Sequence, residues 1–108
     1  MSPEEFVKNF YLEKQNILDS SFDYQMEYKS MTSIKIEELN LDEIQTKKLK
    51  EIVSGLLTDT FYTILLGLDG SASIGGIQES FKIYDENDNL LSTHGDLEGY
   101  AYEYFHGE

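Results

Sequence analysis

The chain has no cysteine, no arginine and no tryptophan, and its one proline is Pro3. Without cysteine there is no disulfide, no thiolate metal site and no cysteine nucleophile. Without arginine, all eight basic residues are lysines, set against 21 acids for a net charge of −13. Such a chain does not build the basic, fork-donating surface that grips phosphates, so nucleic acid is excluded as the expected ligand. What is present is enough for a core. The 108 residues are 40% hydrophobic, which suits one domain spanning 1–108 rather than a disordered tail. The opening Met1-Ser2-Pro3-Glu4-Glu5 is acidic and polar, unlike a secretory or transit signal, and a cytoplasmic location is expected.

The charge is unevenly spread. Residues 1–54 carry 11 acids and 7 lysines, whereas residues 55–108 carry 10 acids and one lysine, Lys82. Like charges raise the free energy of a compact state unless something offsets them, and a cationic partner is one offset. A solvated acidic surface that only aids solubility is the other reading.

Ser2, Pro3 and Glu5 read as N-cap, first helical residue and capping-box partner. Phe6, Phe10, Ile17, Leu18, Phe22 and Met26 follow at helical spacing, with Val7 and Tyr11 widening the stripe, so a helix is expected to about residue 28. Phe22, Tyr24, Met26 and Tyr28 also alternate with polar residues, which leaves a strand open for 22–28. Thr32 to Leu39 fits a short helix or an extended link. Asn40 is then the expected N-cap of a long amphipathic helix. Its core stripe is Leu49, Ile52, Val53, Leu56, Leu57, Phe61, Ile64, Leu65 and Leu68, with Tyr62 and Leu66 making the last turns apolar on most sides. A break near Thr58-Asp59 stays open. Asp59, with Ser54, Gly55, Thr58 and Thr60, argues against a membrane span over 52–68.

Gly67, Gly70, Gly75 and Gly76 end the helical texture. Phe81 to Tyr84, the polar Asp85 to Asn89 and Leu90-Leu91 predict strand, turn and strand. Asp96 is the expected cap of a terminal helix with Leu97, Tyr100, Ala101, Tyr104 and Phe105 on one face. The alternation of Tyr100, Tyr102 and Tyr104 keeps a strand open for 99–105. The expected fold is therefore α+β and mainly helical: two long packed helices, a small β-hairpin and a C-terminal helix.

Catalytic motifs fail on their spacing. Gly70 to Gly76 has glycines at phosphate-loop distance, but Gly76-Ile77 stands where lysine and a hydroxyl residue are needed, so a tight connection is expected. Ser73 lacks the first glycine of a nucleophile elbow, since position 71 is serine. Ser71 or Ser73 with His94 and Asp96 is a set that only geometry could support. Asp85, Asn87 and Asn89 fill three calcium-loop slots, but Leu90 replaces the turn glycine and Asp96 the terminal glutamate. His94 and His106 have no metal-ligand spacing and read as exposed. No enzyme activity, cofactor or metal is expected.

On a terminal helix, Tyr102 falls outward with Glu98 and Glu103. Tyrosine offers rigid contact area and carboxylates accept charge-assisted bonds, a pairing suited to a surface rich in lysine and arginine. An ordinary solvated helix face explains the same residues. Candidate partner contacts are Asp85, Glu86 and Asp88 on the expected hairpin, with Asp96, Glu98, Tyr102 and Glu103 on the helix.

The block Phe61-Tyr62-Thr63-Ile64-Leu65-Leu66-Gly67-Leu68-Asp69-Gly70, followed by Ser73-Ile74-Gly75-Gly76 and Tyr84-Asp85-Glu86-Asn87-Asp88-Asn89, resembles small acidic bacterial immunity (antitoxin) proteins of polymorphic-toxin and contact-dependent-inhibition systems. It covers under half of the chain. The resemblance implies a cytoplasmic antidote that binds and blocks one toxin domain, often a nuclease, and it carries over no functional residue. Beside it stands the physical case: an acidic protein fitted to a basic domain gains steered association and covers the surface that holds phosphates. A small acidic adaptor or dimerisation domain with no toxin partner is the alternative.

Overall fold

A computed structural model describes residues 1–93 and 95–107 and consists of four helices: α1 (Pro3–Ser21), α2 (Met31–Glu38), α3 (Glu43–Leu68) and α4 (Asp96–Phe105). The start of α1 is chemically over-determined. Ser2 Oγ accepts the Glu5 N–H at 3.1 Å, the Glu5 carboxylate accepts the Ser2 N–H at 3.3 Å, and Pro3 opens the first turn. Its end comes earlier than the apolar spacing predicts, at Ser21 rather than about residue 28. Ser20 and Ser21 both donate their hydroxyls to the Ile17 carbonyl, and Asp23 Oδ1 accepts the Gln25 N–H at 3.0 Å. These local bonds compete with continuation of the helix. Residues 22–30 form neither helix nor strand, and Ile17 and Met26 are exposed.

The link over 32–39 is helical, started by Ser30, whose hydroxyl accepts the Ser33 N–H at 3.1 Å. Asn40 does not cap α3. It adopts a left-handed turn at φ 51°, and Asp42 takes the role, its carboxylate accepting from Gln45 N–H while the Gln45 side chain accepts from Asp42 N–H. From there α3 runs unbroken through Thr58 and Asp59. It is long and apolar enough, by length and composition, to cross a membrane. In this structure its C-terminal half packs against α1 and α4.

The core forms where α1, the end of α3 and α4 meet. Val7, Leu65, Leu97 and Ala101 are fully buried there, with Phe6, Phe10, Tyr62, Tyr100, Tyr104 and Phe105 packed around them. Phe10 meets Phe61 edge-on at 5.9 Å between ring centroids, and Tyr11 meets Phe105 in the same way at 5.6 Å. The expected core stripe of α3 is correct at Leu65 and wrong at Ile52 and Leu56, which face solvent. The first half of α3 thus has an outer apolar face that no other described residue covers. The molecule is correspondingly long, 46 × 29 × 28 Å, with a radius of gyration of 16.3 Å against about 13 Å for a compact chain of this length.

The expected β-hairpin is not formed, and the fold is all-helical rather than α+β: among the described residues there is no strand and no sheet. Tyr84 and Leu90 make only an isolated antiparallel bridge. Leu91 N–H does reach the Ile83 carbonyl at 2.7 Å, but Ile83 N–H donates to Ser92 Oγ at 3.0 Å, and that hydroxyl donates to the Phe81 carbonyl. A side chain thus occupies the positions where a second strand would supply backbone groups. Residues 85–89 do turn, around Asp85, whose Oδ1 accepts the N–H groups of Asn87 and Asn89, both at 2.9 Å. The glycine-rich connection supplies the positive φ expected of it. Gly70, at φ 80°, also lies so close to Ser80 that a Cβ would stand 2.5 Å from the Ser80 hydroxyl.

Candidate functional site

The residues singled out as partner contacts lie in two groups that meet different faces of α1. Asp85, Glu86 and Asp88 sit in the turn 85–89, which lies over the α1 face bearing Phe6 and Phe10. Asp96, Glu98, Tyr102 and Glu103 belong to α4, which runs beside the face bearing Glu4 and Tyr11. Positions 6 and 10 stand a little over a third of a turn from 4 and 11 on a helix. No hydrogen bond or ion pair joins the two groups among the described residues.

Within the turn, Asp85 is committed internally. Besides the two backbone N–H groups, it accepts from the Asn89 side chain at 2.9 Å and from the Met1 amino group at 2.8 Å. The bond from the Met1 ammonium, then those from Asn89 and Asn87, holds its carboxyl well below the usual carboxylate range. Both oxygens are in use within the chain. Glu86 and Asp88 are exposed, Asp88 in the left-handed region at φ 63°.

The α4 group is held by the end of α3. Gly95, left-handed at φ 73°, is the N-cap and offers no side chain, so Asp96 is the first helical residue and not the cap. The Thr93 hydroxyl donates to Asp96, and Asp69 Oδ2 accepts the Glu98 N–H at 3.1 Å. Ser71 Oγ donates to the Glu98 carboxylate at 2.9 Å. These bonds fix the rotation of α4, with Leu97 and Ala101 inward and Tyr102 and Glu103 outward. Tyr102 is 58% exposed. Gly99 sits three residues before it with open space where a Cβ would be, so the tyrosine ring rises beside a bare stretch of helix.

The electrostatics of this end are one-sided. Ion pairs among the described residues join Met1 to Asp85, Lys29 to Glu37 and Lys48 to Glu51. None involves Glu86, Asp88, Glu98 or Glu103. Sequence reasoning did not find His106 as a neighbour of Tyr102. The imidazole meets Tyr62 edge-on at 4.5 Å and lies 6.1 Å from the Tyr102 ring, so it stands between a core-facing and an outward tyrosine. The i, i+4 spacing of Tyr102 and His106 was the available signal.

Of the catalytic alternatives, Ser71 is bonded to Glu98 and Asp96 to Thr93, while His94 lies outside the described residues. Among the described residues no cluster of three His, Asp or Glu side chains has metal-binding proximity. An open apolar groove of about 460 Å³ lies between α1 and the turn, lined by Phe6, Phe10, Phe61, Ile83 and Leu91 among others. Comparisons with protein-family models, curated proteins and solved structures return no match.

Proposed function

We propose that this chain is a non-catalytic, cytoplasmic binding protein of the immunity type, which neutralises a basic toxin domain through its acidic C-terminal helix. The observation that carries this reading is Tyr102, exposed beside Gly99 and flanked by Glu98 and Glu103 in a half of the chain with one lysine. A rigid aromatic anchor flanked by carboxylates that form no ion pair among the described residues suits a lysine- and arginine-rich protein surface, because the carboxylates steer encounter and the ring supplies buried area. A domain that holds phosphates must be cationic there, so one contact surface both attracts the inhibitor and is covered by it. Glu86 and Asp88, in the turn that meets another face of α1, contribute long-range steering in this scheme and no shared contact with Tyr102. Asp85, already saturated, contributes the shape of the turn.

The test is co-expression with the C-terminal domain of a toxin encoded beside this chain, followed by purification and stopped-flow association. A stable complex is expected, with an association rate falling about tenfold or more between roughly 50 and 500 mM salt and a dissociation rate changing much less. Tyr102→Ala is expected to weaken the complex by about 2 kcal/mol. Absence of a complex, or an association rate indifferent to salt, overturns the reading.

A further inference from the structure

Lys48, Ile52, Gly55 and Asp59 run along the outer face of α3, spaced by four, three and four residues, which keeps a stripe turned toward a neighbouring helix. Ile44 and Leu56 flank the stripe. Ile44, Ile52 and Leu56 are 83%, 59% and 64% exposed, and Leu39 adds to them at the corner between α2 and α3. A standard interface takes about 800 Å² from each partner, a little over half of it apolar, and these side chains supply part of that apolar share. Gly55 is a second sign of a missing neighbour. A Cβ built on it meets nothing within 4 Å among the described residues, so no contact with them requires glycine at a position where glycine weakens a helix.

The stripe is self-complementary. Positions 48 and 59, and positions 52 and 55, are each equidistant from the midpoint between Val53 and Ser54. We propose that α3 pairs antiparallel with α3 of a second copy about a two-fold axis at that midpoint. Ile52 of each copy seats over Gly55 of the other, Leu56 packs beside it, and Lys48 of each copy faces Asp59 of the other. Every contact is made twice, as a two-fold interface requires. The charges select a second copy over a merely apolar partner. Within its own chain Lys48 has only Glu51 at 4.0 Å, with its side chain 75% exposed, and Asp59 has no ion pair among the described residues. The groove of about 420 Å³ lined by Leu39, Ile44 and Ile52 lies where the C-terminal turns of the second α3 pass.

Sedimentation equilibrium of the full chain tests this at concentrations up to about 100 µM. The wild type is expected to dimerise, and Lys48→Asp or Asp59→Lys alone to raise the dissociation constant about tenfold or more by placing like charges together twice. The double variant carrying both changes is expected to return within about threefold of wild type, since the symmetric pair is rebuilt with its sign reversed. Gly55→Leu, which fills the notch and favours the helix, is expected to leave a monomer of undiminished helicity by circular dichroism. A monomer throughout overturns the proposal. So does a dimer indifferent to all of these changes, or binding of the full chain to anionic phospholipid vesicles without self-association.

Discussion

The carboxylate of Asp69, one residue past the end of α3, accepts the backbone N–H of Glu98 at 3.1 Å and so caps the first turn of α4 from a distance of 29 residues. It replaces the side chain that Gly95, the local N-cap, lacks. Burial pushes the Asp69 carboxyl above its ordinary value of 3.8, and the nearby Glu98 and Asp96 charges push the same way, against the N–H bonds from Glu98 and Gly95. A raised folded-state value means that the folded chain holds the proton more tightly than the unfolded one, so stability falls as pH rises through that value. Asp69→Asn keeps an acceptor oxygen and removes the charge, and is expected to match or exceed wild-type stability at pH 7 while losing this acid-side dependence. Asp69→Ala removes the acceptor and is expected to cost about 1 kcal/mol. Urea unfolding at pH 3, 5 and 7 distinguishes the two, and an equal loss in both variants would refute the capping role.

Lys14 carries the opposite strain. It lies on α1 with 8% of its surface exposed and has no hydrogen-bond or ion-pair partner among the described residues. Burial lowers its ammonium below the ordinary 10.5. The folded chain then holds this proton less tightly than the unfolded chain, so stability rises as pH climbs from the folded-state value toward 10.5. Lys14→Met keeps the apolar stem and deletes the charge. It is expected to match or exceed wild-type stability at pH 7 and to remove that alkaline rise in unfolding curves. A loss of stability in Lys14→Met would show that the ammonium has a stabilising partner.

Part of the local chemistry was legible in the sequence. The capping box at Ser2 and Glu5, the inward Leu97 and Ala101 and the outward Tyr102 and Glu103 all follow from spacing. What was not legible depended on competition between alternative partners, some of them only a few residues away. Apolar periodicity ran past Ser21 because it does not register two serine hydroxyls bonding back to Ile17. Ile52 and Leu56 stand roughly 140° to 180° round α3 from Leu65, because steps of three and one drift around a helix of 3.6 residues per turn. Leu65 therefore faces α1 and α4, and the other two face solvent. The acidic candidates are close in sequence, and the two groups meet different faces of α1. Asp85 looked like a free acceptor although its own turn and Met1 use both oxygens.

Ser92 is the reason that the stretch 81–91 stays a bridge and a turn. Its hydroxyl accepts from Ile83 N–H and donates to the Phe81 carbonyl, closing with one side chain the two groups that a paired strand would otherwise engage. The hydroxyl therefore sits at the base of the loop that carries the 85–89 turn, directly before the backbone bond from Leu91 to Ile83. Ser92→Ala leaves a partly buried N–H and a carbonyl without their partner, and is expected to destabilise the chain by about 1 to 2 kcal/mol. Hydrogen exchange localises the effect: the Ile83 amide should exchange much faster in Ser92→Ala, while amides in the middle of α3 shift only with global stability. Ser92→Thr restores the hydroxyl and should restore protection at Ile83. If Ser92→Ala instead left Ile83 as protected as in the wild type, the loop would be held by Leu91 and the aromatic packing below it, and the serine would be incidental.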